Sequence, residues 1–362
     1  MWELARLQRQ RGHAVQIFSI GHADSDEIID GVLVSRVQLA ASSRFKAFTF
    51  LRKCSERVRS GSAILHFHSM PEAAWVFRKA ENPKLLNFDF PRFRRGRQTP
   101  LFFFYRQCLT QFDLLMPVSS FCKRTAARYW VLPDKLFRVT FNGVNLDHFQ
   151  PNPLARTQFR EAHGLADCTV LLYAGRVNEQ KGTDILIDSY CALRDEFPRL
   201  RLVVCGPPGQ FGRTGETDLT RRIVQVGGLF LGAVSESELV GAFNAADIFV
   251  LPTRQDEMFG MVAAEAQACG IPVVASDNGG LPEVVARTSG ALFRAGSVAS
   301  LTQVLAGLLK DPRRLDDYRQ RARENAGRFS WQIICDDLEV AYALARQRRL
   351  QRLQGRNGSH EP

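Results

Sequence analysis

The sequence predicts an α/β protein with two doubly wound domains, each built on a parallel sheet. Short β-branched or aromatic runs alternate with helical stretches through the first part of the chain, which is typical of parallel βα units. A polar, proline-containing segment at 151–165 interrupts this alternation, and it restarts directly afterwards. The length of 362 residues, with 45% hydrophobic and 23% charged residues, suits two ordinary globular domains.

Each predicted strand follows from a short apolar run. In the first domain the runs are VQIFSI (15–20), AILHFH (63–68), KLLNF (84–88), DLLMPVS (113–119) and FRVTFNG (137–143). In the second domain they are TVLLYAGR, RLVVCG, LFLG, DIFVLP, PVVAS and GALFRA. We therefore expect a first domain at 1–150, a linker at 151–165, a second domain at 166–328 and a terminal helix with a basic tail at 329–362.

Charge and cysteine usage limit the class of protein. The formal charge is +11, and arginines cluster near residues 92–97 and 346–356. Nucleic acid, anionic lipid and phosphorylated substrates are all compatible with this charge. The eight cysteines stand singly, as expected of reduced thiols, and no apolar run is long enough to span a membrane. These features favour a cytoplasmic protein.

The segment RFKAFTFLRK (44–53) has two interpretations. Its phenylalanines alternate with basic residues, as in an amphipathic helix that lies on an anionic membrane surface. The alternative is a helix whose aromatic side packs on a sheet while its basic side faces water. Peripheral binding to the inner face of a membrane is therefore one expectation.

The segment EMFGMVAAEAQACGIPVVAS (257–276) is the strongest functional signal. Gly260 stands where a short helix should begin, so the backbone N–H groups of Gly260 and Met261 should face an anion such as a phosphate. Glu257 precedes this helix and Glu265 lies two turns into it. Carboxylates accept hydrogen bonds from sugar hydroxyls, so this arrangement suits a nucleotide sugar. An ordinary capped surface helix is the alternative.

A second segment adds positive charge at the same edge of the predicted sheet. TVLLYAGRVNEQKGTDILIDSY contains a strand, a loop with Arg176 and Lys181, and a helix that opens near Gly182. Ligands of open α/β sheets bind at the carboxyl ends of the strands, where both segments fall. Arg176 and Lys181 suit the two phosphates of a nucleoside diphosphate. Asp247, in contrast, is predicted as a turn or cap residue.

Together these segments resemble the donor domain of the family 4 retaining glycosyltransferases. The resemblance rests on AGR (174–176), KG (181–182), DIFVLPT (247–253), EMFGMVAAEAQACGIPVVAS (257–276) and GGLPEVV (279–285). NGVNLDHFQP (142–151) resembles the interdomain segment of that family, and the helix beginning FSW resembles its terminal helix. The resemblance implies the GT-B fold, in which two Rossmann-like domains face across a cleft and the terminal helix crosses back to the first domain.

The resemblance also implies roles for the matching residues. Arg176 and Lys181 would hold the diphosphate, the amides of Phe259, Gly260 and Met261 would hold the sugar and β-phosphate, Glu265 would hold the ribose and Glu257 would touch the sugar. The family transfers a sugar from a nucleotide donor, here a UDP- or GDP-linked hexose, with retention and with neither a cofactor nor a bound metal. Glu257 as a nucleophile is the alternative to front-face transfer assisted by the leaving phosphate.

The first domain departs from the family pattern in two places. Relatives begin with a strand and a Gly-Gly loop ahead of the helix that starts here at Trp2, so we expect an N-terminally truncated sequence. Relatives often carry a histidine after the strand that here continues as Phe88 and Asp89. His68 is the acceptor-side candidate instead, whereas His66 is expected to pack as a structural residue.

Three functions are therefore open. The first is a glycosyltransferase that acts on a glycan or lipid-linked acceptor in cell-envelope or extracellular polysaccharide synthesis. The second is a catalytically impaired GT-B homologue that binds a sugar nucleotide or serves as a scaffold. The third is a nucleic-acid binder, which only the charge suggests; the sequence contains no recognisable module for it, and nucleic acid is not expected as a partner.

Overall fold

The computed structural model describes residues 1–40, 45–58, 63–88, 99–209 and 218–357. The chain divides into two compact units. The first unit contains Met1–Phe141 and the chain from Trp331 onward, and the second contains Asn142–Ser330. The arginine cluster at 92–97 and Asp89 lie outside the described residues.

The described part of the first unit contains two small sheets. Their strands are β1 (Gln16–Gly21), β2 (Ser25–Ile29), β3 (Val32–Gln38), β4 (Leu65–His68), β5 (Lys84–Phe88) and β6 (Leu114–Pro117). The strand orders are β1-β3-β2 and β4-β5-β6. All pairs are parallel except β2 with β3, which form a hairpin that the sequence analysis did not predict. Asp30 and Gly31 turn this hairpin with positive φ, as two-residue hairpin turns of this kind require.

The predicted strand at 137–143 was wrong. Among the described residues, this segment makes only an isolated bridge between Phe137 and Leu115 of β6. Two N–H groups bond to that strand, Arg138 to the Leu115 carbonyl at 2.9 Å and Thr140 to the Pro117 carbonyl at 3.0 Å. Phe137 and Thr140 are buried. The apolar pattern therefore indicated only that this extended segment is buried. A strand also needs a continuous series of backbone hydrogen bonds to a neighbour, which burial alone does not supply.

Five helices accompany these sheets in the described residues ahead of the second unit. They are α1 (Trp2–Gln10), α2 (Lys46–Arg57), α3 (Ala73–Val76), α4 (Pro100–Thr110) and α5 (Ser120–Trp130). Helix α2 covers most of the segment RFKAFTFLRK, and it buries Phe50 while leaving Phe45 exposed. The amphipathic helix predicted there is therefore present.

The second unit contains a six-stranded parallel sheet. Its strands are β7 (Thr169–Ala174), β8 (Leu200–Cys205), β9 (Leu229–Gly232), β10 (Ile248–Leu251), β11 (Val273–Ser276) and β12 (Gly290–Phe293), in the order β12-β11-β10-β7-β8-β9. Strands β10 and β11 are buried along their whole length, as expected when helices cover both faces of a parallel sheet. The order reverses between β7 and β10, which makes this the topological switch point where such sheets bind ligands.

Helices surround this sheet. They are α6 (Pro153–Ala162), α7 (Thr183–Leu193), α8 (Asp218–Gln225), α9 (Glu236–Ala245), α10 (Met261–Ala268), α11 (Leu281–Val284), α12 (Val298–Leu309) and α13 (Pro312–Gly327). Helix α6 occupies most of the segment 151–165 that was predicted as a linker. Asn152 accepts a hydrogen bond from the Ala155 N–H at 3.0 Å and Pro153 is the first helical residue, so the local sequence favours a helix start.

The last helix, α14 (Trp331–Asn357), belongs to the first unit, as the resemblance predicted. Ile334, Leu338 and Ala341 of α14 join the buried cluster of Leu85 and Leu114. The terminal arginines hold loop carbonyls: Arg349 donates to Ala80 at 2.6 Å, Arg348 to Asp113 at 3.1 Å and Arg352 to Gln111 at 3.2 Å. These three charges therefore fasten the helix to its own unit.

Candidate functional site

The loop between β7 and α7 holds Lys181 in a defined position. A turn of 3₁₀ helix, Glu179–Lys181, follows Asn178, whose side chain accepts a hydrogen bond from the Lys181 N–H at 2.9 Å. Gly182 then begins α7 with φ of +72°, and a Cβ atom there would lie 1.7 Å from the Pro252 carbonyl oxygen. Only glycine fits, so this loop lies directly against the segment that follows β10.

The loop between β10 and α10 presents a helix N-terminus. Gly260 caps α10 with φ of +99°, and Met261 is the first helical residue, as predicted. The Phe259 side chain is buried edge-on against Phe329, with ring centroids 5.2 Å apart. The ring therefore belongs to the core, and only the backbone of Phe259 is available to a ligand.

The two loops meet through Lys181 and Glu257. The Lys181 ammonium donates a hydrogen bond to Oε1 of Glu257. Both side chains are mostly shielded from water, with exposed fractions of 27% for Lys181 and 21% for Glu257. The structure thus brings together two residues that the sequence analysis selected independently.

A third loop supports the backbone of Glu257. The Gly280 N–H donates to the Glu257 carbonyl at 2.6 Å, and Asn278 Nδ2 donates to the Gln255 carbonyl at 3.1 Å. A Cβ atom on Gly279 would lie 2.2 Å from the Glu257 carbonyl oxygen, and φ at Gly279 is +61°. Gly279 is therefore required for the close approach of this loop to Glu257.

Tyr173 connects Arg176 to this site. Its hydroxyl donates to the Arg176 carbonyl at 2.6 Å. Burial raises the pKa of Tyr173, and the charges of Glu257 and Arg176 act on it in opposite directions. Arg176 and Glu257 are therefore both within electrostatic reach of one buried hydroxyl.

Glu265 lies on α10 and is partly buried. Burial, with a smaller contribution from Glu236, raises the pKa of Glu265 to about 7. A buried carboxylate is costly unless hydrogen-bond donors compensate its charge. A ligand with hydroxyl groups, such as a ribose, would supply such donors.

The histidines of β4 form a partly buried pair in the first unit. His66 lies 2.9 Å from Oδ1 of Asn87 through Nε2 and 3.0 Å from the Tyr342 hydroxyl through Nδ1. His68 stacks on His66 with centroids 4.6 Å apart. Burial lowers the pKa to about 4 for His66 and to about 3 for His68, so both rings are neutral near pH 7.

Two residues near Lys181 and Glu257 were not identified from the sequence. Arg254, from the same loop as Glu257, forms two parallel hydrogen bonds with Asp184 in the first turn of α7, each 2.6 Å long. Only their positions in the sequence could have identified them: Asp184 follows Lys181-Gly182 closely, and Arg254 precedes Glu257 closely. Neither residue type is unusual in a surface loop, so position alone did not identify the pair.

A six-stranded parallel sheet whose strand order reverses at the centre defines the class of doubly wound α/β domains, and the cation and carboxylate lie at the switch point where such domains bind ligands. Structures of known proteins specify the fold further. Sucrose-phosphate synthase from Thermosynechococcus elongatus is 23% identical with a TM-score of 0.74, and the match covers 94% of this chain and 91% of that one. HepE from Anabaena, solved with UDP-glucose, is 20% identical with a TM-score of 0.72, and 94% of each chain is covered. The fold is GT-B.

Two family models cover most of the chain. Residues 1–148 match the model described as Glycosyltransferase Family 4, and residues 155–328 match the model described as Glycosyl transferases group 1. A D-inositol 3-phosphate glycosyltransferase from Catenulispora acidiphila is 39% identical over 199 residues, which is 52% of this chain and 46% of the relative. The chain spans about half the length of the curated relatives it matches. It belongs to the family 4, group 1 type glycosyltransferases.

Proposed function

We propose that this protein transfers a hexosyl unit from a UDP- or GDP-linked sugar to an acceptor hydroxyl, with retention of configuration. The observation that carries the proposal is the contact between Lys181 and Glu257 at the switch point of the sheet, beside the N-terminus of α10. A cation, a carboxylate and a helix N-terminus are suited to a diphosphate attached to a sugar. The Anabaena protein of the same fold was solved with UDP-glucose, which is consistent with such a donor.

One set of residues acts on the leaving diphosphate, and another binds the sugar and the ribose. The bond between C1 of the sugar and the β-phosphate oxygen breaks, and Arg176, Lys181 and the Gly260 and Met261 amides stabilise the charge that develops on the diphosphate. The acceptor hydroxyl forms its bond to C1 on the same face and passes its proton to the departing phosphate. Glu257 and Glu265 accept hydrogen bonds from the sugar and ribose hydroxyls, and neither needs to form a covalent bond.

Donor binding requires an exchange of partners. Without a donor, the charges of Lys181 and Glu257 neutralise each other. When a diphosphate enters, Lys181 turns from the carboxylate to the phosphate, and Glu257 becomes available to the sugar. The donor therefore replaces an existing ion pair, and hydrogen bonds from the sugar hydroxyls to Glu257 take the place of the bond from Lys181.

Replacing Lys181 tests the donor site. We expect Lys181→Ala to weaken binding of UDP or GDP, whichever the wild type prefers, by about 10- to 100-fold, because a charge-assisted bond to phosphate is lost. Isothermal calorimetry measures this change. Lys310→Ala is the matched control, since Lys310 forms an ion pair with Glu196 on the surface of the same unit.

Unchanged nucleotide affinity in Lys181→Ala would contradict the assigned site. Sugar transfer itself is tested by incubating the wild type with UDP-glucose and following release of UDP. Tight donor binding with no release, in the presence of a cell-envelope lipid extract as acceptor, would favour the alternative function of a sugar-nucleotide-binding protein.

We further propose that the acceptor is a glycan or glycolipid of the cell envelope and that the first unit binds an anionic cytoplasmic membrane surface. Among the described residues, no helix is both long and apolar enough to cross a membrane. The first unit does expose Phe45, Trp75 and Phe103. Phe104 contacts both Phe48 and Trp75, with ring centroids 6.2 and 5.9 Å apart, so helices α2, α3 and α4 share one aromatic surface.

Basic residues accompany this aromatic surface. Lys46 and Arg52 of α2 are exposed, and the Arg78 guanidinium lies 4.9 Å from the centre of the Trp75 ring. Aromatic and cationic side chains together favour the headgroup region of anionic bilayers. His68, the last residue of β4, is proposed to contact the acceptor through its neutral ring.

Vesicle sedimentation tests the membrane surface. We expect the wild type to sediment with vesicles containing anionic phosphatidylglycerol, and Trp75→Ala with Phe103→Ser to lower the bound fraction severalfold, because exposed aromatic area is lost. Leu154→Ser, at an exposed apolar residue of the second unit, is the control. Equal sedimentation of all three proteins would contradict the proposed surface.

A further inference from the structure

Arg254 and Asp184 form a bridge between the two loops that carry Lys181 and Glu257. Both Arg254 Nη atoms bond to the Asp184 carboxylate at 2.6 Å, and Nη1 also donates to the Glu179 carbonyl at 2.6 Å. The Asp184 side chain is largely shielded, with an exposed fraction of 21%. Paired, planar hydrogen bonds of this kind define a geometry as well as an attraction.

Further hydrogen bonds join the same two segments. The Arg254 N–H donates to the Gln180 carbonyl at 3.0 Å, and Gln255 Nε2 donates to Oε1 of Gln180 at 2.7 Å. The residues that accept these bonds, Glu179, Gln180 and Asp184, lie before and after Lys181 in the chain. The backbone that bears Lys181 is therefore attached, before and after this residue, to the backbone that leads to Glu257.

Arg254 is unsuited to bind the donor itself. Its guanidinium is committed to Asp184 and the Glu179 carbonyl, and the Asp184 charge raises the pKa of Arg254 through this hydrogen bond. A phosphate would have to displace a bidentate carboxylate. The arrangement indicates a residue that acts through its neighbours, in contrast to Lys181, which forms one ion pair, with Glu257, among the described residues.

This bridge is most important when the donor is bound. Lys181 reaches its target through a flexible four-carbon chain, and its contact with Glu257 is lost once it turns to the phosphate. The contacts of its backbone with Asn178, with the Arg254 segment and, through Gly182, with Pro252 remain in place. Binding of an ordered cation costs less conformational entropy when the backbone is already held in place.

We propose that Arg254 and Asp184 are positioning residues that hold Lys181 and Glu257 at the spacing a sugar diphosphate requires. This inference rests on the proposed donor site. It predicts that weakening the bridge lowers donor affinity through Lys181, although neither residue touches the donor.

A double-mutant cycle tests this coupling. We expect Asp184→Asn to weaken binding of UDP or GDP about tenfold by calorimetry, and Arg254→Lys, which keeps the charge but loses the planar fork, to weaken it less. In a Lys181→Ala background, Asp184→Asn should weaken binding less than twofold further, because the residue through which it acts is already absent. The melting temperature should stay within about 2 °C of wild type, since the pair is partly exposed.

Asp188→Asn is the matched control. Asp188 lies one turn further along α7 and also pairs with an arginine, Arg222, at 2.6 Å. In the described part of the chain it forms no hydrogen bond with either loop, and its charge acts on Arg254 only at longer range than Asp184 does. We expect wild-type nucleotide affinity for this variant. An equal loss in Asp188→Asn and Asp184→Asn would overturn the inference, because any charge on this face of α7 would then have the same effect.

The failures of the two proposals can be distinguished. If the wild type binds UDP or GDP and Lys181→Ala weakens it, but Asp184→Asn and Arg254→Lys bind normally, only the positioning role is overturned. A full tenfold loss from Asp184→Asn in the Lys181→Ala background likewise overturns it. If the wild type binds neither nucleotide, the proposed donor site and the inference fail together.

Discussion

Two carboxylates of the second unit, Asp247 and Glu257, each lie in a group of charged residues but differ in how many partners they have. Asp247 is buried and receives hydrogen bonds from three arginines, Arg156 at 2.7 Å, Arg160 at 2.6 Å and Arg319 at 2.5 Å. The Val170 N–H of β7 adds a fourth at 2.8 Å. The sequence predicted only a turn or cap residue, whereas the structure makes Asp247 the link between α6, β7 and α13.

Glu257 shows the other arrangement. Within the described part of the chain, the structure records one ion pair for Glu257, with Lys181, and both side chains retain access to water. A carboxylate whose hydrogen-bonding capacity is filled by its own chain stabilises the fold, whereas one with a single replaceable partner can bind a ligand. The number of partners, more than the residue type, therefore separates the structural group from the candidate site.

The largest expected effect is on the structural group. Asp247→Ala would leave three arginines beside each other without their carboxylate, and we expect the free energy of unfolding to fall by about 3–5 kcal/mol. Urea denaturation measures this loss. Asp316→Asn, at the exposed partner of Arg319, should change stability by less than about 0.5 kcal/mol. Near-equal stability of the two variants would contradict the structural role of Asp247.

A pH-dependent effect is expected at Glu265. Its folded pKa of about 7 is above its ordinary value of 4.5, so between these pH values the folded protein holds more protons than the unfolded chain. Stability therefore falls as pH rises through this range, and the cost of the buried charge is complete above pH 7. We expect Glu265→Gln to be more stable than wild type at pH 8, by up to about 3 kcal/mol, and equally stable at pH 4.

Thermal denaturation of both proteins across pH 4 to 8 measures this difference. A constant difference at all pH values would show that Glu265 is not a buried titrating carboxyl. The same variant should bind UDP or GDP more weakly above pH 7, because a neutral amide accepts ribose hydroxyls less strongly than a carboxylate.

An effect on donor binding is expected at Gly279, whose loop packs against the backbone of Glu257. A Cβ atom there would collide with the Glu257 carbonyl oxygen, and the positive φ adds about 1 kcal/mol of strain for alanine. We expect Gly279→Ala to weaken nucleotide-sugar binding more than tenfold and also to lower stability, because the added Cβ atom would collide with backbone atoms of Glu257. Gly296→Ala has a similar positive φ but open space around it, so it should show the strain without the loss of binding. Calorimetry with UDP-glucose separates the two outcomes.

The local elements were largely predictable from the sequence. Each strand predicted in the second domain is present, and the central ones read as continuous apolar runs because they are buried on both faces. The helix start at Gly260 was also readable from a few adjacent residues. In the first domain, the hairpin of β2 and β3 was missed because Ser25–Ile29 is mostly exposed and its pattern is polar.

The candidate site was only partly predictable. Lys181 and Glu257 were selected because each lies at the carboxyl end of a predicted parallel strand, and their role in donor binding stays a prediction. Their contact, and the pairing of Arg254 with Asp184 across 70 residues of sequence, could not be read in advance. Both depend on the adjacency of β10 and β7 in the sheet.

By itself, therefore, the sequence determined which segments form strands and helices, where α10 begins and which charged residues follow the strands. These properties depend on neighbouring residues and on the periodicity of apolar side chains. The tertiary structure decided which of those charges are neutralised within the chain and which keep an exchangeable partner. That choice depends on the order of strands in the sheet, because partners such as Arg319 and Asp247 come close in space only after distant parts of the chain have packed together.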